Sequence, residues 1–219
     1  MTITIREPGS AITHLLAMLM TMFGATPLLI HAVLSGDGIM FMAMIIFVSS
    51  MFLLYTASTL YHSVNIGGKV LTFFRKMDHM MIFVLIAGSY TPVCLLVLDR
   101  KSGLILLASV WGLAAIGMLI KALWITCPKW FSSIIYISMG WTCLGVFGQL
   151  LDKLTPVQFW LLVSGGIFYT VGGVIYALKF PVFGGKYKYF GAHELFHVFV
   201  MLGSACHFIF MFFLQPIHF

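Results

Sequence analysis

Charged residues leave long stretches of this chain empty. Seven runs of at least 19 residues contain no Asp, Glu, Lys or Arg: 8–36, 38–68, 79–98, 102–120, 130–151, 154–178 and 195–219. A helix needs about 20 apolar residues to cross the hydrocarbon core of a bilayer. Inside that core every backbone N–H and C=O must be paired within the protein, which only helices and closed barrels achieve. A barrel would be built from strands of about 10 residues with alternating polarity, and no run here alternates that way. The expected fold class is therefore all-α: a polytopic membrane protein with seven transmembrane helices. The spans are read as Ile12–Leu34, Ile39–Tyr61, Met77–Leu98, Leu104–Leu123, Ser132–Leu151, Phe159–Leu178 and Ala192–Leu214. Composition agrees. Only 8% of residues are charged and 61% are hydrophobic, whereas a soluble domain carries about 25% charged residues. A soluble globular protein and a disordered chain are both excluded.

The segments between spans are short. The longest, Lys179–Gly191, has 13 residues, so residues 1–219 are expected to form a single transmembrane domain. The first span is too long for the core of a signal peptide and is read as retained. The four cysteines, Cys94, Cys127, Cys143 and Cys206, form no CxxC pair. They point to buried free thiols, not to disulfides or a thiolate metal site.

Orientation follows from the basic residues, which favour the cytoplasmic side. With seven spans, alternate loops share a side. One side collects Arg6, Lys69, Arg75, Lys76, Lys121, Lys129, Lys179, Lys186 and Lys188; the other collects Arg100, Lys101 and Lys153. Nine against three places the N-terminus in the cytoplasm and the C-terminus outside. The net charge of +6 is then a topology signal and a source of contacts with lipid headgroups, and no nucleic-acid partner is expected.

Polar residues near the span ends carry the chemistry. His14, His62, His79, His193 and His197 all fall near cytoplasmic ends. Because the spans alternate in direction, His62, Asp78 and the His193/His197 pair reach similar depth, at about 1.5 Å of rise per residue. In His193-Glu194-Leu195-Phe196-His197 the two imidazoles stand at i and i+4, on one helix face. The HExxH pattern is a zinc signature, while two interfacial histidines bonded to headgroups would serve equally without a metal. His62 adds a third imidazole at matching depth. Three histidines leave one open position for water, the arrangement of a catalytic zinc. Ser58 shares the face of His62 one turn deeper, where a back-bond to a helix carbonyl is its ordinary role. Asp78 is either paired with Arg75 or Lys76 at the mouth of the third helix, or a group that holds or deprotonates the water. Glu194 is either a general base or, in the first turn of the last helix, a carboxylate favoured by the helix dipole.

The SxxxH of Ser58/His62, the Asp78 after a basic loop, the HxxxH of His193/His197 and the early Glu7-Pro8…Thr13-His14 together resemble the hemolysin III family. That family is the bacterial branch of the progestin and adipoQ receptor group and is distantly similar to alkaline ceramidases. Ala87–Pro92 (AGSYTP) and Gly203–Phe208 (GSACHF) resemble it too, and the likeness spans essentially the whole chain. It implies Zn2+ held by His62, His193 and His197, with Asp78 at the water and Ser58 beside the site as catalytic residues. It implies a zinc-dependent hydrolase of a lipid amide or ester near the cytoplasmic interface, with membrane lipids as partners, a role in lipid homeostasis and a bacterial plasma-membrane location. Two alternatives stay open: a receptor-like or regulatory protein with structural zinc, and a membrane-permeabilising hemolysin. A pore would need polar stripes along several helices, and the span middles carry none.

Other classes fit less well. An intramembrane metalloprotease takes a third ligand from an Asp-Gly motif, but Asp37-Gly38 lies about a membrane away from the HExxH. A retinal protein needs a lysine inside its last helix, which has none. A secondary transporter should carry charged or discontinuous elements near the midplane, and none of the Asp, Glu, Lys or Arg residues is expected there. Gly140, Gly145 and Gly148 in the fifth span, and Gly165, Gly166, Gly172 and Gly173 in the sixth, are expected to let helices approach closely. Pro92 is expected to bend the third span, and His207 to pair with another helix. Trp130, Trp160, Tyr187 and Tyr189 suit interfacial belts.

Overall fold

A computed structural model describes residues 5–178 and 190–215. Lys179, Lys186, Lys188, Tyr187, Tyr189 and His218 lie outside the described residues. Helix α1 is Pro8–Leu34, α2 Gly38–Ser63, α3 Gly68–Leu96 and α4 Arg100–Leu123. Helix α5 is Lys129–Gly140, followed by a 3-10 turn at Thr142–Val146 and by α6, Phe147–Lys153. Helices α7, Pro156–Leu178, and α8, Ala192–Phe212, complete the order. Counting α5 to α6 as one span, seven helices are long and apolar enough to cross a membrane, and no strand occurs among the described residues.

Local chemistry sets the helix starts. Pro8 opens α1 with a pre-set φ and no N–H to satisfy. The Asp37 carboxylate caps α2, accepting from the N–H groups of Ile39 at 2.7 Å and Met40 at 3.1 Å. Gly36 and Gly68 stand at φ 72°, a left-handed backbone that glycine adopts without steric cost. At α8, the Glu194 carboxylate accepts the Gly191 N–H at 2.8 Å, the N3-to-N-cap half of a capping box.

Each span packs on its sequence neighbours, and α1 also packs on α8, so the bundle closes on itself. Helix α3 is the most enclosed of the seven spans, and the fifth span and α7 are the least enclosed. Trp130 and Trp160 are exposed near span ends. All four cysteines are free.

Three readings from sequence change. Helix α3 begins at Gly68, nine residues before the expected Met77; its first turns carry Lys69, Arg75 and Lys76 beyond the apolar stretch. Asp78 therefore stands about 15 Å into the helix, well past the first turn where a helix dipole acts. The fifth span is broken. The Tyr90 hydroxyl donates to Gly140 O at 2.6 Å and accepts from Cys143 N–H at 3.0 Å, which repairs the interrupted helical pairing. Trp141 Nε1 donates to Thr170 Oγ1 across the break at 2.9 Å. Finally, the glycines divide. A Cβ on Gly165 would lie 2.3 Å from the His207 ring and one on Gly172 2.9 Å from Phe199 Cβ, so α7 and α8 need both. Gly140, Gly145 and Gly148 meet nothing within 4 Å; they sit at the break in the fifth span and do not mediate close packing.

Candidate metal centre

Three imidazoles from two helices converge at one end of the bundle. His62 comes from the last turn of α2, and His193 and His197 from the first two turns of α8. One ring nitrogen from each lies within 4.8 Å of the other two. His62 Nε2 and His193 Nε2 are 3.3 Å apart. Nitrogens bound about 2 Å from a shared tetrahedral ion stand about 3.3 Å apart, so the triad could hold a metal. The donors also fit chemically: imidazole nitrogens suit a transition-metal ion, and the His62 and His197 rings are buried at 1% and 2% exposure.

Asp78 is 8% exposed on α3, with Oδ2 3.3 Å from His79 Nδ1. His14, His62 and His193 are within its electrostatic reach. Neither Arg75 nor Lys76 pairs with it: Lys76 Nζ donates to Ala122 O at 2.5 Å. Ser58 lies one turn from His62 on α2, fully buried, and its hydroxyl makes no back-bond to the helix. Glu194 has both carboxylate oxygens occupied, one by the Gly191 N–H and one by the Ser10 hydroxyl at 2.5 Å. It shapes the start of α8.

The residues missed as contacts all come from the start of α1. His62 Nδ1–H donates to the Glu7 carboxylate. That bond holds the Glu7 carboxyl below the ordinary glutamate range. The Glu7 N–H also donates to His62 O at 3.0 Å, and the Arg6 guanidinium covers the Tyr61 ring at 4.1 Å. Thr13 Oγ1 is 3.1 Å from His197 Nδ1. The His14 ring stacks on His197 at 3.6 Å, and both its nitrogens are buried without a partner. One signal was available: Glu7, Ser10 and Thr13/His14 recur at helical spacing and so share a face.

A narrow cavity of about 160 Å³ starts at this centre and runs through the bundle. Asp78, His14, His193 and His197 line one end; Ile82, Leu85, Ser89 and Val200 follow; Val93, Leu150 and Phe159 line the other end. From Asp78 to Val93 the path along α3 is about 22 Å, most of a hydrocarbon core of about 30 Å. Farther along, His207 Nε2 donates to Leu162 O at 3.2 Å, the expected pairing with another helix. The Tyr55 hydroxyl donates to Ser204 Oγ at 2.6 Å, and Tyr169 reaches the same hydroxyl at 2.8 Å.

Comparison with known proteins identifies the family. The profile of the family described as "Haemolysin-III related" matches residues 3–208. "Hemolysin-3" of Bacillus cereus is 36% identical over 199 residues, covering 91% of this chain and 87% of that protein. "Hemolysin-3 homolog" of Bacillus subtilis (strain 168) is 36% identical over 206 residues, covering 94% and 92%. "ADIPOR-like receptor IZH2" of Saccharomyces cerevisiae is 35% identical over 79 residues, covering 35% of this chain and 24% of that protein. No solved structure matches significantly. With its seven membrane-length helices and a family match across nearly its whole length, the chain belongs to the haemolysin-III-related family of multi-pass membrane proteins.

Proposed function

We propose that the protein is a zinc-dependent hydrolase of a lipid amide or ester, set in the bacterial plasma membrane with its histidine end toward the cytoplasm and serving lipid homeostasis. The observation that carries this reading is the junction of a metal-competent histidine triad with an apolar cavity. A lipid's polar linkage meets the triad while its hydrocarbon occupies the cavity, so both halves of the molecule are matched. When bound, the metal supplies Lewis-acid polarisation of a carbonyl and lowers the pKa of water toward about 7.

The chain's own residues do the rest. His62, His193 and His197 hold the metal through neutral nitrogens. Asp78, on the cavity wall beside them, accepts the proton of the attacking water and returns it to the leaving amine or alcohol as the C–N or C–O bond breaks. The Ser58 hydroxyl, within reach of the Asp78 carboxylate, orients the water or the developing oxyanion. The apolar walls exclude bulk water from the acyl side.

Metal analysis of purified protein tests the first half. Wild type should retain about one zinc per chain, and a variant with His62, His193 and His197 all changed to Ala should retain none. Unchanged content sinks the assignment. For the second half, Asp78→Asn should lower hydrolysis of a long-chain lipid amide or ester by at least about 100-fold with zinc content preserved. Hydrolysis indifferent to Asp78 removes it from the mechanism.

A second reading draws on the way α2 and α8 are joined through the triad and on the receptor name of the yeast relative. In it the metal clamps the two helices without turnover. It predicts a zinc-dependent melting temperature together with no hydrolysis in any variant. Permeabilisation gains no support, because a water-filled pore needs a polar lining and this cavity is apolar along most of its length.

A further inference from the structure

The first two turns of α1 touch both helices that carry the histidines, and each contact lands on a group that bears on the centre. A neutral imidazole has one N–H and one lone pair, and the hydrogen bond made by one nitrogen decides which is left for a metal. At His62 the Glu7 carboxylate can only accept, so Nδ1 carries the proton and Nε2 keeps the lone pair. That Nε2 is the atom facing His193. At His197, Nδ1 meets the Thr13 hydroxyl at 3.1 Å, and the Ser10 carbonyl also lies within reach of the ring as an acceptor. Thr13 has a single hydrogen, and two backbone carbonyls compete for it, Ser10 O at 2.9 Å and Gly9 O at 3.1 Å. Its oxygen therefore faces His197 as an acceptor, which again puts the proton on Nδ1 and frees Nε2. Ser10 acts one step farther out: its hydroxyl holds Glu194, and Glu194 caps the turn of α8 that carries His193.

We propose that Glu7, Ser10 and Thr13 form the outer shell of the metal centre, with Glu7 and Thr13 as positioning residues that fix tautomer and ring direction at His62 and His197. The proposal rests on the triad binding a divalent metal. The two contacts are unequal. Glu7 brings a full negative charge to an imidazole proton, a charge-assisted bond that strengthens the ligand's donation. Thr13 sets geometry without charge. Outer-shell partners of this kind are worth about 10- to 100-fold in metal affinity. One edge of α1 thus ties α2 to α8 around the ion, although α1 supplies none of the three ligands.

The test is a Co2+ titration of metal-stripped protein in detergent, followed by the visible d–d absorption of the bound ion. Wild type should give a tetrahedral-type spectrum with one-site saturation. Glu7→Ala and Thr13→Val should each weaken Co2+ by about 10- to 100-fold, with helicity and melting of the metal-free protein unchanged. Glu7→Gln, which still accepts a hydrogen bond, should fall between Glu7→Ala and wild type. Thr13→Ser should bind like wild type, and these two conservative variants carry the test if either truncation fails to fold. Affinities within about twofold of wild type in Glu7→Ala and Thr13→Val overturn the outer shell while leaving the triad intact. A wild type that takes up no Co2+ overturns the metal reading itself.

Discussion

Lys121 is 2% exposed near the end of α4, with its ammonium 2.5 Å from Ser132 Oγ and 3.1 Å from Cys127 Sγ. Among the described residues no carboxylate pairs with it. In the sequence it reads as a topology marker at a span end; in the fold it is a buried cation held by neutral acceptors. Such a charge costs several kcal/mol of desolvation, so Lys121→Met should leave thermal stability unchanged or raise it. Ser132→Ala should lower stability by about 1–3 kcal/mol, because the ammonium stays and loses an acceptor. Thermal unfolding of the two variants in the same detergent separates them, and equal losses would contradict this account. Other residues were easier to read. His193 and His197 announce themselves by i, i+4 spacing, and His62 by depth. Glu7 and Thr13 do not, because their contacts join positions 55 and 184 residues apart, a pairing that only helix packing creates.

At the scale of elements, hydropathy revealed all seven spans and misjudged some of their ends. It stops a helix at the first charges, whereas α3 continues through Arg75 and Lys76 to Gly68, since backbone hydrogen bonding is indifferent to where the apolar stretch begins. It cannot see the interruption of the fifth span either, because a 3-10 turn is as apolar as the helix around it. What holds that interruption is a tyrosine from another helix. The seam between α7 and α8 allows a sharper test. Gly165→Ala would set a methyl group 2.3 Å from the His207 ring and 3.1 Å from Gly203 O. The helices must part, at a cost of about 1–3 kcal/mol. Its neighbour supplies the control: Gly166 has open space, and Gly166→Ala should be neutral. Comparable losses in thermal unfolding for both variants would show that the seam is not the cause.

For the molecule as a whole, the distribution of Lys and Arg predicts that the N-terminus and the histidine end face the cytoplasm. A fluorescent protein fused before Met1 should be bright, and alkaline phosphatase fused after Phe219 should be active. A dark N-terminal fusion together with an inactive C-terminal phosphatase would reverse the orientation. The cavity was not legible at all. It is the space left chiefly between α3, α5, α7 and α8, walled by aliphatic and aromatic side chains with a few polar ones, and no periodicity in one helix records a gap shared by several.

The contact between α1 and α8 also imposes a schedule. A ribosome delivers Glu7, Ser10 and Thr13 first, then His62, and only after another 131 residues His193. Until the last helix has entered the membrane and docked, His62 has no partner imidazole and Ser10 has no Glu194. The centre is therefore finished in one late event, and a chain stalled before α8 presents one histidine where three are needed. On the proposed metal reading, metal capture would mark complete synthesis and insertion, read out at the point where the beginning of the chain meets its end.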